Sequence, residues 1–287
     1  MKSTQIIEPK EYRMILEAAL AEDIGSGDVT SIATVPENAL CEGVIFAKEE
    51  AIICGTQIAQ EVFKQVDGKI TVEIITPDAQ IAPEGWEVLR IKGPARGILT
   101  AERTALNFLQ HLSGIATLTH KYMEQIAHTK ARLLDTRKTL PGWRKLQKYA
   151  VACGGGTNHR IGLYDLVLVK DNHLKLMNRE NPGDFSVAVA RARNLFPGLK
   201  VEIEAESFQE FQHALDAGAD IILLDNMTCE QMSKCVVSAG GRCKLEASGG
   251  VNLQTVKQIA ETGVDFISVG ALTHSVRAVD LSLELIF

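Results

Sequence analysis

The spacing of apolar positions changes once along the chain. Residues 8–22 (EPKEYRMILEAALAE) carry Ile15, Leu16, Ala19 and Leu20 at helical intervals, and a turn-rich stretch, DIGSGDVTS, follows. Residues 40–54 read as two strands around a charged turn, and 56–66 as a helix. Residues 69–76 (KITVEIIT) and 87–92 (EVLRIK) alternate like strands. The region up to about residue 110 therefore predicts a mixed α+β domain with a small antiparallel sheet.

GPARGILTAERTALNFLQHLSGIATLTHKYMEQI then predicts one long helix, or two with a break near Ser113-Gly114. From residue 131 short apolar strands alternate with helices. The strands are 132–136, 166–171, 200–205, 221–226, 243–248 and 265–271, and the helices are roughly 142–151, 178–195, 207–217, 228–239 and 252–263. That rhythm implies right-handed βαβ units and a parallel sheet. An open doubly wound sheet and a closed barrel both fit it. The strand ends favour the barrel, because nearly all finish in polar or glycine residues: Asp135-Thr136, Lys170-Asp171, Glu204, Asp225-Asn226, Glu246 to Ser248, and Gly270. In α/β barrels that end carries the active site. Six strands are visible, so the barrel is smaller than eight strands or hides one.

Composition narrows the class. The chain has 287 residues, 46% hydrophobic and 23% charged, with a net charge of −6. Nucleic acid is not an expected partner, since its binders show basic surfaces. No run of 18 apolar residues exists, so no membrane span is expected. The start shows no secretory signal, and the six cysteines form no C-x-x-C pair; both point to the cytoplasm, with the thiols as small core residues. Phosphate-loop, zincin, nucleophile-elbow and dinucleotide-loop motifs are missing. His111, His120, His128, His213 and His274 lack ligand-like spacing and read as surface or structural.

Chemistry concentrates in 135–173, DTRKTLPGWRKLQKYAVACGGGTNHRIGLYDLVLVKDNH. Thr136, Arg137 and Lys138 follow one strand, His159 and Arg160 follow a triple glycine, and Lys170 closes the next strand. Cations on adjacent loops of an acidic protein need internal carboxylates or an anionic ligand to offset their repulsion. Arg144, Lys145 and Lys148 lie on a helix and read as solvated. The triple glycine Gly154-Gly155-Gly156 serves either as an anion-facing row of amides or as a tight bend. Glu202 and Glu204 share one strand face, and Asp225 ends the next strand. Such carboxylates can accept ribose hydroxyls, hold Mg²⁺, or pair with the cations. Ser248, Gly249, Gly250, Gly270 and Ala271 follow late strands, where barrel loops often bind phosphate.

At these residues the chain resembles the quinolinate phosphoribosyltransferase family. The matching blocks are AEDIGSGDVTS (21–31), ERTALNFLQHLSGIAT (102–117), the 135–173 segment, VEIEAES (201–207), AGADIILLDN (217–226), LEASGGV (245–251) and DFISVGALTHSV (265–276), which span almost the whole chain. The resemblance implies an N-terminal α/β sandwich domain (1–112), an incomplete, about seven-stranded α/β barrel of TIM-barrel type (113–275), and a C-terminal segment (276–287) returning to the first domain. It implies transfer of phosphoribose from phosphoribosyl pyrophosphate to quinolinate with loss of CO₂. Mg²⁺ accompanies the phosphoribosyl donor, and no organic cofactor is needed. Arg103 then matches an arginine lent by the neighbouring subunit of a homodimer, or of a homohexamer built from dimers. Arg137, Lys138, His159, Arg160 and Lys170, beside Thr136, match contacts to quinolinate and pyrophosphate. Glu204 and Asp225 match the ribose and Mg²⁺ carboxylates. Lys138, Lys170, Glu204 and Asp225 carry the expected catalytic roles, with either lysine a candidate proton donor. Ser248, Gly249, Gly250, Gly270 and Ala271 match the 5′-phosphate loops. Trp143 departs from the pattern, standing where a leucine is common.

Overall fold

The computed structural model describes residues 7–177 and 185–286. In chain order its elements are α1 (Pro9–Ile24), α2 (Val29–Thr34), β1 (Leu40–Ala47), β2 (Ala51–Ile52), α3 (Thr56–Val66), β3 (Thr71–Ile74), β4 (Ile81–Ala82), β5 (Glu87–Pro94), α4 (Ala95–Ile126), β6 (Arg132–Leu134), α5 (Arg144–Cys153), β7 (Val167–Val169), α6 (Asp171–Met177), α7 (Phe185–Leu195), β8 (Val201–Ala205), α8 (Phe208–Asp216), β9 (Ile221–Asp225), α9 (Cys229–Ala239), β10 (Lys244–Ser248), α10 (Val256–Glu261), β11 (Phe266–Ser268), α11 (Ala271–His274) and β12 (Leu281–Ile286). They form two compact units. One comprises Met1–His120, Thr139–Gly155 and Leu272–Phe287; the other comprises Lys121–Lys138 and Gly156–Ala271. No helix among the described residues is long and apolar enough to cross a membrane.

The first unit is built on an antiparallel sheet of order β12-β1-β5-β3. β1 and β2, expected around one charged turn, belong to different sheets: β2 pairs with the short β4. Along α3 the buried Ile58, Ala59, Val62 and Phe63 recur at helical spacing, so the helix turns one apolar stripe inward. The expected break near Ser113-Gly114 does not occur, and α4 runs unbroken for 32 residues. Gly114 serves close packing instead. A Cβ there would lie 2.4 Å from the carbonyl oxygen of Arg277, so the segment leading to β12 crosses the helix at a distance only glycine allows. Ser113 Oγ accepts from the Cys54 backbone N–H at 2.9 Å, which spends its polarity on the neighbouring chain.

In the second unit every strand pair is parallel, and the order is β6-β11-β10-β9-β8-β7. The first strand in sequence thus lies beside the last, as a barrel requires. A seventh segment reduces to a single parallel bridge, Leu134 with Thr157, reinforced by the Thr157 N–H donating to the Leu133 carbonyl at 2.8 Å. This is the strand that the apolar pattern hid: one bridge of length has no periodicity to read. The α6 helix was also not expected, while the predicted helix at 178–195 is seen from Phe185, its first seven positions lying outside the described residues.

The pairing register sorts the parallel strands into two faces. Leu133, Val169, Val201, Ile203, Ile222, Leu224, Leu245, Ala247 and Ile267 alternate onto one, and all are buried. Leu134, Leu168, Glu202, Glu204, Leu223, Asp225, Glu246, Ser248 and Ser268 fall on the other. The barrel is therefore unusual in one respect that positions its chemistry: the face opposite its apolar layer is studded with carboxylates.

Candidate active site

The polar face gathers its groups at the C-terminal strand ends. Glu204 and Asp225 stand on neighbouring strands with the same parity, and Ser248 is directly opposite Asp225 in register. Just beyond the strands, Thr136 follows β6, Lys170 follows β7 and Gly270 follows β11. Glu204 is almost covered (9% exposed) and forms an ion pair with Lys170. The Lys170 backbone N–H donates to His173 Nδ1 at 2.9 Å, which fixes the turn into α6.

Asp225 is held by its successor. Asn226 sits in the left-handed region (φ 54°), donates its side-chain amide to Asp225 at 2.8 Å, and donates its backbone N–H to the Ser248 carbonyl at 2.9 Å. Gly249 completes that joint: its φ is +93°, and a Cβ would lie 2.1 Å from Asn226 Oδ1. Gly250 is exposed and Gly270 and Ala271 are half-buried, the last opening the four-residue α11. The expected helix at 252–263 contracts to α10, because Asn252 accepts from the N–H groups of Gln254 and Thr255 and makes a turn first.

The Thr157–Arg160 segment runs beside β6. Buried Asp135 accepts the His159 N–H at 2.8 Å. His159 Nε2 lies 3.2 Å from Glu202 and 3.3 Å from Glu246, whose side chains are 0% and 1% exposed. Burial by itself lowers the His159 imidazole, but the two carboxylates outweigh it and lift the group to about 10. Burial, then the Glu246 charge, push the Glu202 carboxyl up. The Arg160 N–H donates to His159 Nδ1 at 2.7 Å, which requires a lone pair on that nitrogen. The ring proton therefore sits on Nε2, facing the two carboxylates that raise the imidazole. One imidazole nitrogen and two carboxylate oxygens within 4.8 Å of one another could also hold a divalent cation.

Two of the cations, Arg137 and Arg160, lie near each other. The Arg160 guanidinium is depressed by burial and then by the charge of Arg137, and it feels the opposite charge of Glu202. Arg137 and Thr136 are half-buried, while Lys138 is exposed, its N–H donating to Thr136 Oγ1 at 3.0 Å. Arg103 is an exposed residue of α4, within the first unit. The structure revises two readings of the basic segment. Lys148 is buried (1% exposed) and Arg144 half-buried, so α5 is no solvated cationic face. The amides of Gly154 and Gly155 donate to the carbonyls of Ala150 and Ala152, so they close α5 instead of facing an anion. Beyond that segment, Glu246 and Asn226 were readable only as polar strand ends; they have no motif of their own, and only strand parity, which puts Glu246 on the face of Glu202 and Glu204, could have singled one out.

Known proteins resemble this chain across both units. Residues 28–113 match the family model "Quinolinate phosphoribosyl transferase, N-terminal domain", and residues 115–284 match its C-terminal counterpart. The chain is 41% identical to the chloroplastic nicotinate-nucleotide pyrophosphorylase [carboxylating] of Oryza sativa, over 96% of this chain and 78% of that one. It is 40% identical to the Mycobacterium leprae enzyme of the same name, over 95% and 96%. The solved nicotinate-nucleotide pyrophosphorylase from Francisella tularensis superposes with a TM-score of 0.93 at 42% identity, covering 100% of both chains. On these matches, which run through both units, the chain belongs to the quinolinate phosphoribosyl transferase family.

Proposed function

We propose that the protein condenses quinolinate with phosphoribosyl pyrophosphate and releases CO₂ and pyrophosphate, forming nicotinate mononucleotide for NAD synthesis. The observation that carries this reading is that Arg137 and Arg160 lie near each other and near Glu202, on the sheet face that also holds the Lys170–Glu204 pair. Two polyanionic reactants held side by side need such cations, and arginine forks suit the carboxylates of quinolinate.

In this reading Arg137, Lys138, His159 and Arg160, with Thr136, bind quinolinate and the pyrophosphate. The 5′-phosphate rests on Ser248, Gly249, Gly250, Gly270 and Ala271. Glu204 and Asp225 accept the ribose hydroxyls and stabilise positive charge growing at the anomeric carbon as its bond to pyrophosphate breaks. The quinolinate ring nitrogen donates its pair to that carbon, giving a pyridinium. The adjacent pyridinium charge then stabilises the in-plane electron pair left at C2 when CO₂ departs, an ylide that is protonated at C2, so the decarboxylation needs no organic cofactor. A proton from Lys138 or Lys170 completes the ring. Glu204 and Asp225 are hard oxygen donors on one face and fit the Mg²⁺ that travels with the pyrophosphate; bound there, it would neutralise the leaving group.

Arg103 is assigned to the site of a second copy, in a homodimer or a hexamer of dimers. Leu163 and Tyr164, each 72% exposed, are apolar surface of the kind a second copy covers. The six free thiols support a cytoplasmic location. The test is incubation with carboxyl-labelled quinolinate, phosphoribosyl pyrophosphate and Mg²⁺. Stoichiometric label release and nicotinate mononucleotide are expected; quinolinate binding without pyrophosphate release would refute the enzyme reading.

A further inference from the structure

Two buried carboxylates of the barrel each precede, by two positions on the same strand face, a residue assigned above to substrate: Glu202 before Glu204 and Glu246 before Ser248. Glu202 on β8 and Glu246 on β10 are buried, and apart from the long contacts to His159 Nε2 their four carboxylate oxygens meet no hydrogen-bond donor among the described residues. Their one shared ion-pair partner among the described residues is His159 Nε2, at 3.2 and 3.3 Å. Two carboxylates without solvent are costly unless opposed by positive or proton-donating groups. A purely structural core would place apolar residues there, as the opposite sheet face does.

What these carboxylates touch explains their retention. His159 is gripped on three sides: Nε2 by the two glutamates, its backbone N–H by Asp135, and Nδ1 by the Arg160 N–H. That grip fixes the backbone from which Arg160 projects. It also places negative charge beneath Arg160 and, through Arg160, near Arg137, offsetting the repulsion of two neighbouring guanidiniums before any anionic ligand arrives.

We infer that Glu202 and Glu246 are positioning residues, a buried carboxylate cradle that holds His159 and Arg160 ready for the quinolinate carboxylates. The inference rests on the function proposed above, and it assigns to these two side chains a specific share of quinolinate affinity. They touch no substrate themselves.

Steady-state kinetics on four variants test it, with quinolinate and phosphoribosyl pyrophosphate varied separately. Glu246→Ala should raise the quinolinate KM about tenfold or more and the phosphoribosyl pyrophosphate KM less than about threefold, the loss expected for a charge-assisted contact. Glu246→Gln keeps the shape and a polar contact and should recover most of the loss. His159→Ala combined with Glu246→Ala should be no worse than His159→Ala alone, because the glutamate acts through the ring. Equal rises in both KM values, or additive effects in the double variant, would overturn the inference. If the alanine variants do not fold, Glu202→Gln with Glu246→Gln carries the test, with the same split between the two KM values expected. A divalent ion co-purifying stoichiometrically and lost in Glu246→Gln would overturn it in favour of a metal site. Should the wild-type protein make no nicotinate mononucleotide, the proposed function fails on its own. Nitrogen NMR of the His159 ring still reads the cradle: an unprotonated Nδ1 in wild type that changes in Glu246→Gln supports it, and an unchanged ring refutes it.

Discussion

Two carboxylate sites in this molecule invite comparison. In the first unit, Asp78 accepts four hydrogen bonds: Thr56 N–H at 2.9 Å and Thr56 hydroxyl at 2.6 Å on one oxygen, Gly55 N–H at 2.9 Å and Tyr149 hydroxyl at 2.7 Å on the other. Those donors include the first amides of α3, so Asp78 caps that helix from a distance in sequence. The Cys54 and Cys153 thiols stand within 4.8 Å of it, but its oxygens are already spent, and burial pushes the Cys54 thiol up. In the barrel, Glu202 and Glu246 share one imidazole nitrogen between them. A saturated carboxylate stabilises a fold. An under-satisfied pair is held against its own cost and points to a requirement other than stability.

The comparison breaks most clearly at Arg160. Arg160→Ala should lower kcat/KM for quinolinate by roughly 10²–10³-fold, as expected when one partner of a charge-assisted contact is removed. Near-normal kinetics would detach the barrel cations from catalysis and leave both sites structural. Asp78→Ala should give the opposite signature. We expect a loss of about 3 kcal/mol of stability, seen as a lowered denaturation midpoint, because several buried donors lose their acceptor together. The quinolinate KM of the folded fraction should stay within about twofold; a selective rise in that KM would erase the distinction.

Gly249→Ala tests a joint rather than a charge. The added Cβ would collide with Asn226 Oδ1 at 2.1 Å in a backbone conformation that L residues rarely adopt, so Asn226 must swing away from Asp225. A cost of about 1–3 kcal/mol is expected, together with a higher KM for phosphoribosyl pyrophosphate. A variant with wild-type melting and both KM values unchanged would show that the joint does not hold Asp225.

How much of this was legible follows from the length of each signal. The βαβ rhythm, the parallel sheet and the basic and acidic groups at strand ends were all readable, because strands such as 201–205 and 221–225 are long enough to show their pattern. The seventh barrel segment was not, since a single bridge at Thr157 leaves no period. Nor was the continuity of α4: Ser113-Gly114 looks like a breaker until Arg277 and Cys54, distant in sequence, are seen to use it. Glu246 was visible only as one polar strand end among several. Its partnership with His159 needs tertiary proximity across 87 positions, which the single sequence does not encode locally. Lys148 shows the converse error, a cation on an amphipathic-looking helix that the fold buries.

His111 offers the smallest and finest test, because it is the neutral counterpart of His159. Burial lowers its imidazole, and no carboxylate restores it. Gln147 Nε2 lies 2.9 Å from His111 Nε2, so the side-chain amide donates to a ring nitrogen that must keep its lone pair. The same glutamine accepts the Leu140 N–H at 2.9 Å, and Trp143 packs edge-on to the ring, so a neutral His111 helps hold the turn entering α5. The sign is fixed by linkage. With the folded-state value below the unfolded one of about 6.5, the unfolded chain takes up the proton first as pH falls. The stabilisation is therefore full above about pH 6.5 and is lost below it, at no more than about 1.4 kcal/mol per pH unit. Melting temperatures of wild type and His111→Asn, measured from pH 7.5 down to about pH 5, should converge on the acid side as wild type alone pays this proton-linked term. Parallel curves would mean that His111 titrates identically in both states, and that its contact with Gln147 survives protonation.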